Sequence, residues 1–124
     1  MRTSKVTVSE HQIQSAFFKI VTLHERTYPM LKIMFAVPNA AKRSMALASM
    51  LKAEGMRSGV PDVMFPYNNG KYYGLALEFK SAKGKPTDNQ IEWMHQLQTY
   101  GWDCHVVNDY EAAWNIVLDY IKNK

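Results

Sequence analysis

Three residues in the middle of the chain, Asp62, Glu78 and Lys80, offer chemistry if the fold lets them meet. They flank Asn68-Asn69-Gly70-Lys71, whose Asn and Gly residues tolerate positive φ and make it the clearest hairpin turn in the sequence. Pairing Tyr67 with Tyr72 across that turn puts Asp62 opposite Leu77 and beside Glu78. A one-residue register adjustment, supplied by a bulge near Pro66, puts Asp62 directly across from Glu78. Glu78 and Lys80 are two apart on a strand and share a face. Two facing carboxylates repel, and a hard divalent cation relieves them: Mg²⁺ by availability, with Mn²⁺ as a substitute. Such a cation polarises a phosphoryl oxygen and acidifies a bound water. Lys80 beside it would orient that water, take its proton or neutralise charge developing on the phosphate. The same trio also reads as a surface salt-bridge cluster worth about 0–1 kcal/mol, and spacing alone leaves both readings open.

The elements that must position these residues follow from local patterns. Thr7 can cap a helix with Glu10 closing a capping box, and Ile13, Ala16, Phe17, Ile20, Val21 and His24 form its apolar stripe as far as Arg26, before Pro29. The apolar run Ile33-Met34-Phe35-Ala36-Val37 reads as a buried strand ended by Pro38-Asn39. Residues 42–54 read as a helix with Gly55 at its C-terminal cap, and residues 62–67 and 72–80 as the two arms of the hairpin. Thr87 opens a third helix to about Tyr100, with Ile91, Met94, Leu97 and Gln98 facing one way. A strand over 102–107 and an amphipathic helix over 110–121 close the chain, the latter through Ala113, Trp114, Val117, Leu118 and Ile121. The order α-β-α-β-β-α-β-α, without repeat, linker or low-complexity tract, predicts a single domain over 1–124. Its fold class is α/β, a mixed sheet flanked by helices.

Composition narrows the function. The 124 residues suit one domain, and 47% hydrophobic with 21% charged residues is ordinary globular composition. Fifteen Lys and Arg against eleven Asp and Glu give a net charge of +4, which favours a polyanion such as nucleic acid. The single cysteine, Cys104, excludes an internal disulfide and a cysteine-only zinc site, and the four histidines lack ligand spacing. No stretch is long and apolar enough for a membrane span. Met1-Arg2-Thr3-Ser4-Lys5 leads into a polar-studded segment rather than an apolar one, so a cytoplasmic protein without a secretory signal is expected.

Gly59-Val60-Pro61-Asp62, the turn and Leu77-Glu78-Phe79-Lys80 resemble the PD-(D/E)XK nuclease signature, and more narrowly the VRR-NUC branch in its small stand-alone phage or plasmid form. Ser9-Glu10-His11-Gln12-Ile13-Gln14 resembles the opening helix of that family and Phe35-Ala36-Val37-Pro38-Asn39 its first strand. Leu51-Lys52-Ala53-Glu54-Gly55 with Arg57-Ser58-Gly59 resembles the approach to the hairpin, and Lys83-Gly84-Lys85 with Gln90 and Gly101 the later segment. The resemblance implies a PD-(D/E)XK restriction-endonuclease-like core with Asp62 and Glu78 as metal ligands, Lys80 as catalytic lysine, and the Phe79 backbone carbonyl as a further ligand. It also implies a metal-assisting catalytic Glu10 and a nearby catalytic Gln90. Both of these have a local reading too: Glu10 fits a capping box with Thr7, and Gln90 one with Thr87. Phe79 is bulky where the family commonly has an aliphatic residue, but it points to the opposite face, so packing rather than chemistry should feel it.

Together these readings give a Mg²⁺-dependent DNA endonuclease. The resemblance adds a homodimer acting on branched DNA such as a four-way junction. Arg57, Lys83 and Lys85, and also Lys71, are the candidate phosphate contacts; Lys42, Arg43 and Lys52 extend that track, and each reads equally as a solvated surface cation. Trp93, Trp102 and Trp114 read as core, as do Met45, Met50 and Met94, while Tyr72 and Tyr73 are the exposed aromatic candidates. Cys104 and His105 cannot form a dyad, since adjacent strand residues point apart. The competing function is a nucleic-acid-binding module that keeps the fold and does not cut.

Overall fold

The computed structural model describes residues 8–38 and 44–123. Thr7, Lys42 and Arg43 lie outside them. The elements are α1 (Glu10–His24), a 3₁₀ turn (Pro29–Ile33), β1 (Phe35–Ala36), α2 (Met45–Ala53), β2 (Val63–Phe65), β3 (Gly74–Phe79), α3 (Asp88–Thr99), β4 (Trp102–Val107) and α4 (Tyr110–Ile121). The four strands form one mixed sheet in the order β1-β2-β3-β4, antiparallel up to β3 and parallel between β3 and β4. Among the described residues no helix is long and apolar enough to cross a membrane.

All six residues of β3 are buried, and alternation sends them to two different environments. Leu75, Leu77 and Phe79 join Val63 and Phe65 of β2 in a core completed by Ile13, Phe17 and Val21 of α1 and Ala113, Val117 and Tyr120 of α4. Each such aromatic or aliphatic side chain contributes about 1.5–3 kcal/mol by leaving water. Phe79 takes its place there as expected, its ring 5.4 Å from that of Phe17. Gly74, Ala76 and Glu78 turn to the other face, where α3 packs along β4.

Several local expectations need correction. The cap of α1 is Ser9, which accepts from the Gln12 N–H (3.1 Å) while Gln12 Oε1 accepts from the Ser9 N–H (2.9 Å). Two capping signals lie two residues apart in the sequence, and Ser9 is the one that makes the bonds, leaving Glu10 as the first helical residue. The apolar run at 33–37 is not a buried strand: Pro29 opens a 3₁₀ turn through Ile33, and only Phe35–Ala36 pairs, at the sheet edge with Phe35 half exposed. Helix α2 starts at Met45 after a Ser44 cap and buries none of its residues. Met45 and Met50 stand out into solvent, at 88% and 58% exposure, instead of filling the core. Helix α3 likewise has no fully buried residue, and Ile91 is half exposed.

The turn that carries the hairpin is held from α4. Asn69 Oδ1 accepts from the N–H groups of Lys71 and Tyr72, and its amide donates to the Tyr120 carbonyl (2.8 Å). Gly70, at φ 93°, supplies the left-handed residue this turn requires. The Tyr120 hydroxyl donates to the Tyr67 carbonyl at 2.6 Å and lies 3.3 Å from that of Tyr72. Burial, with nearby Asp103 adding to it, pushes this phenol up to about 12, so it stays a donor at neutral pH. Tyr72, expected to be exposed, is half-buried with its ring stacked towards that of Tyr120; Tyr73 is the exposed one. Tyr120→Phe leaves the Tyr67 carbonyl without its donor, and urea unfolding should show a loss of about 1–3 kcal/mol with the far-UV spectrum unchanged.

Candidate active site

Strand register decides which side chains meet. Val63 faces Leu77 and Phe65 faces Leu75, so the adjusted register holds and Asp62 comes opposite Glu78. The chain reaches Asp62 through Ser58 and Gly59, and Asn89 of α3 clamps this approach by donating from Nδ2 towards the Ser58 carbonyl and hydroxyl, each at 3.0 Å. Gly59 sits at φ +88°, and a Cβ there would come within 2.6 Å of Asn89 Nδ2, so a larger residue would strain the backbone and displace the clamp. From the other side the Val37 N–H donates to the Asp62 carbonyl at 2.7 Å. The Asp62 carboxylate accepts from the Phe79 N–H, also at 2.7 Å, which fixes it at the open end of the hairpin.

Glu78 is 1% exposed. Its Oε2 accepts from Gln90 Nε2 at 3.1 Å and lies 3.3 Å from Lys80 Nζ. Its Oε1 is buried and has no hydrogen-bond donor among the described residues. Lys80 continues the ladder by donating its N–H to the Val107 carbonyl (2.9 Å), and its side chain is only 12% exposed. The exposed salt-bridge reading therefore fails, because this charge pair is held out of water, where its Coulomb gain is set against a large desolvation cost. Burial, reinforced by the facing Asp62 carboxylate and opposed by Lys80, pushes the Glu78 carboxyl up to about 8.

Gln90 both closes a cap and reaches Glu78. Its Oε1 accepts from the Thr87 N–H (2.9 Å) while its backbone N–H donates to Thr87 Oγ1 (3.2 Å), closing the capping box of α3, and its Nε2 donates to Glu78 Oε2. Glu10, relieved of capping, reaches in from the start of α1 and places Oε1 3.7 Å from Lys80 Nζ, with its side chain half exposed. Phe79 has its N–H on the β2 side, and the two polar groups of a strand residue point the same way, so its carbonyl faces that side beyond the last β2 pair. Among the described residues no three acidic, His or Cys side chains converge as a closed metal cage.

Of the candidate phosphate contacts, Arg57 is exposed next to the clamped approach to Asp62, and Lys83 and Lys85 are exposed on the loop between Lys80 and α3. Lys71 is not brought to the site. It stands at the hairpin tip with its ammonium 5.5 Å from the Tyr72 ring centre, the length of β3 away, roughly 20 Å at the strand rise. His105 pairs with Asp103 (2.9 Å) and not with Cys104, whose thiol burial pushes up to about 11. Sequence reasoning missed Asn89, whose partner is 31 residues away. It also placed Trp93 in the core, where the structure leaves it lining an open cleft.

The VRR-NUC domain family model matches residues 5–109. The chain belongs to the VRR-NUC domain family. A solved structure described as "VRR_NUC domain protein" is similar at 21% identity and a TM-score of 0.78, covering 96% of this chain and 93% of that one. No curated protein matches the chain. The VRR-NUC match spans α1, the hairpin and α3, and the mixed sheet with its flanking helices is the fold this chain shares with that neighbour.

The raised Glu78 carboxyl has a consequence for stability. The folded VRR-NUC domain holds this proton more tightly than the unfolded chain, so its contribution is complete below about pH 4.5 and is lost as pH rises through about 8. In EDTA, wild-type protein should lose up to about 1.4 kcal/mol per pH unit across that window relative to Glu78→Gln, in paired urea titrations.

Proposed function

We propose that this VRR-NUC domain is a Mg²⁺-dependent nuclease that hydrolyses phosphodiester bonds in DNA. The observation that carries this reading is Glu78 Oε1, a buried carboxylate oxygen without a donor, set against Asp62 and beside an ammonium. A bound cation would satisfy that oxygen and neutralise the pair. Asp62 and Glu78 would hold it with the Phe79 carbonyl, and two carboxylates with water and phosphate oxygens completing the shell is how Mg²⁺ is usually held. When bound, the ion supplies Lewis acidity at the phosphoryl oxygen and a more acidic water.

The rest is done by the chain. Lys80, held between Glu78 and Glu10, orients the attacking water and offsets negative charge as it develops on the phosphate. Glu10, whose Oε1 lies 3.7 Å from Lys80 Nζ, acts here by positioning that amine and would assist in holding the ion. Gln90 fixes the Glu78 carboxylate through Oε2 and leaves Oε1 for the cation. Arg57, Lys83 and Lys85 would contact flanking phosphates.

The expected result for Asp62→Ala and for Lys80→Ala is a loss of at least about a hundredfold in Mg²⁺-dependent cleavage of plasmid and junction DNA, with EDTA abolishing cleavage by the wild type. If both variants cut at the wild-type rate, the assignment is wrong. Binding to DNA in EDTA without cleavage in either Mg²⁺ or Mn²⁺ would favour the non-cutting module instead.

Branched DNA and a homodimer, both implied by the resemblance, belong to the same proposal. The apolar surface that α2 leaves in solvent, with Met45 and Met50 exposed, offers a face for a second copy. Sedimentation of wild-type protein should then report a dimer and that of Met50→Asp a monomer with an unchanged far-UV spectrum.

A further inference from the structure

Between the C-terminal end of α2 and the first turns of α3 lies a cleft of about 470 Å³, lined by Lys52, Met56, Arg57, Ser58, Asn89 and Trp93. That volume falls within the range of small-ligand sites, and the lining carries two cations and no carboxylate. One wall is the part-exposed Trp93 indole; another is the Ser58–Asn89 clamp. The cleft is next to the carboxylate site, because Asn89 lines it while Gln90, one Cα step of about 3.8 Å along, holds Glu78. Arg57 and Lys52 attract phosphate oxygens, and an indole face stacks on any base. A nucleotide joins a phosphate to a planar base and so matches both halves of this lining. In continuous duplex each base is stacked and paired and cannot reach a side chain in a cleft, whereas an unpaired base can.

We infer that this cleft receives an unpaired nucleotide beside the scissile bond, its base on Trp93 and its flanking phosphates at Arg57 and Lys52. The inference rests on the nuclease reading for its place next to the cut, and it adds that the preferred substrate carries a single-stranded stretch there. None of Trp93, Arg57 or Lys52 touches the carboxylate pair.

The test measures binding in EDTA, where no cleavage can intervene, with a fluorescein-labelled oligothymidylate and a blunt duplex as probes. Trp93→Ala should weaken oligothymidylate binding by about tenfold or more and duplex binding by less than about threefold, while Trp93→Phe keeps the affinity for both. Unlabelled oligothymidylate should quench the tryptophan fluorescence of the wild type, and that quench should vanish in Trp93→Phe; this arm decides the matter even if Trp93→Ala does not fold. Arg57→Ala should weaken both probes and lower the salt slope by about one. Equal affinity of folded Trp93→Ala and wild type for the oligothymidylate, or an undiminished quench in Trp93→Phe, overturns the cleft assignment. Duplex cutting that persists with Trp93→Ala then leaves the nuclease reading standing, whereas a wild type that binds neither probe and cuts no DNA removes both.

Discussion

A carboxylate taken out of water must find donors, opposite charge or a proton, and Glu78 finds the first two on one oxygen only. Gln90 and Lys80 both approach Oε2, while Oε1 lies buried without a donor and the Asp62 carboxylate faces the residue across the strand pair. A chain selected only for stability would replace such an arrangement with apolar residues of similar size, often at no loss. The surrounding structure instead holds it in place. Val37, just past β1, and the Phe79 N–H fix Asp62, β4 anchors the Lys80 backbone, and α3 delivers Gln90.

β3 carries both halves of this bargain. Its odd residues, ending in Phe79, belong to the core with α1 and α4, and its even residues end in Glu78 on the face that α3 covers. Stabilising contacts and the candidate chemistry therefore share one six-residue strand and differ only in the parity of position. The bulky Phe79 is absorbed by contact with Phe17, without disturbing the backbone N–H that Asp62 uses.

Much of this was legible because it depends on local rules. The Asn-Gly turn and period-two alternation are enough to bring Asp62, Glu78 and Lys80 together, and β4 and α4 fall where periodicity puts them. The hairpin register was legible only up to a choice of two, because the eight residues between β2 and β3, not the turn tetrad alone, set the offset. The cap of α1 was misread because Thr7 and Ser9 carry nearly the same signal. The exposed methionines of α2 were misread because helical spacing shows that a face is apolar and not what covers it. Asn89 left no mark in the sequence, since a clamp across 31 residues exists only once α3 has docked.

Gln90 uses the two ends of one amide for different purposes, its oxygen for the helix start and its nitrogen for Glu78. Glutamate, the usual conservative partner, would preserve the cap and bring a third negative charge against the carboxylates, so the two demands together admit a narrower choice than either alone. A side chain fixed by folding grammar at one atom and by electrostatics at the next cannot drift for the sake of one without being judged by the other, and the beginning of α3 is thereby tied to the ionic state of the cleft it overlooks.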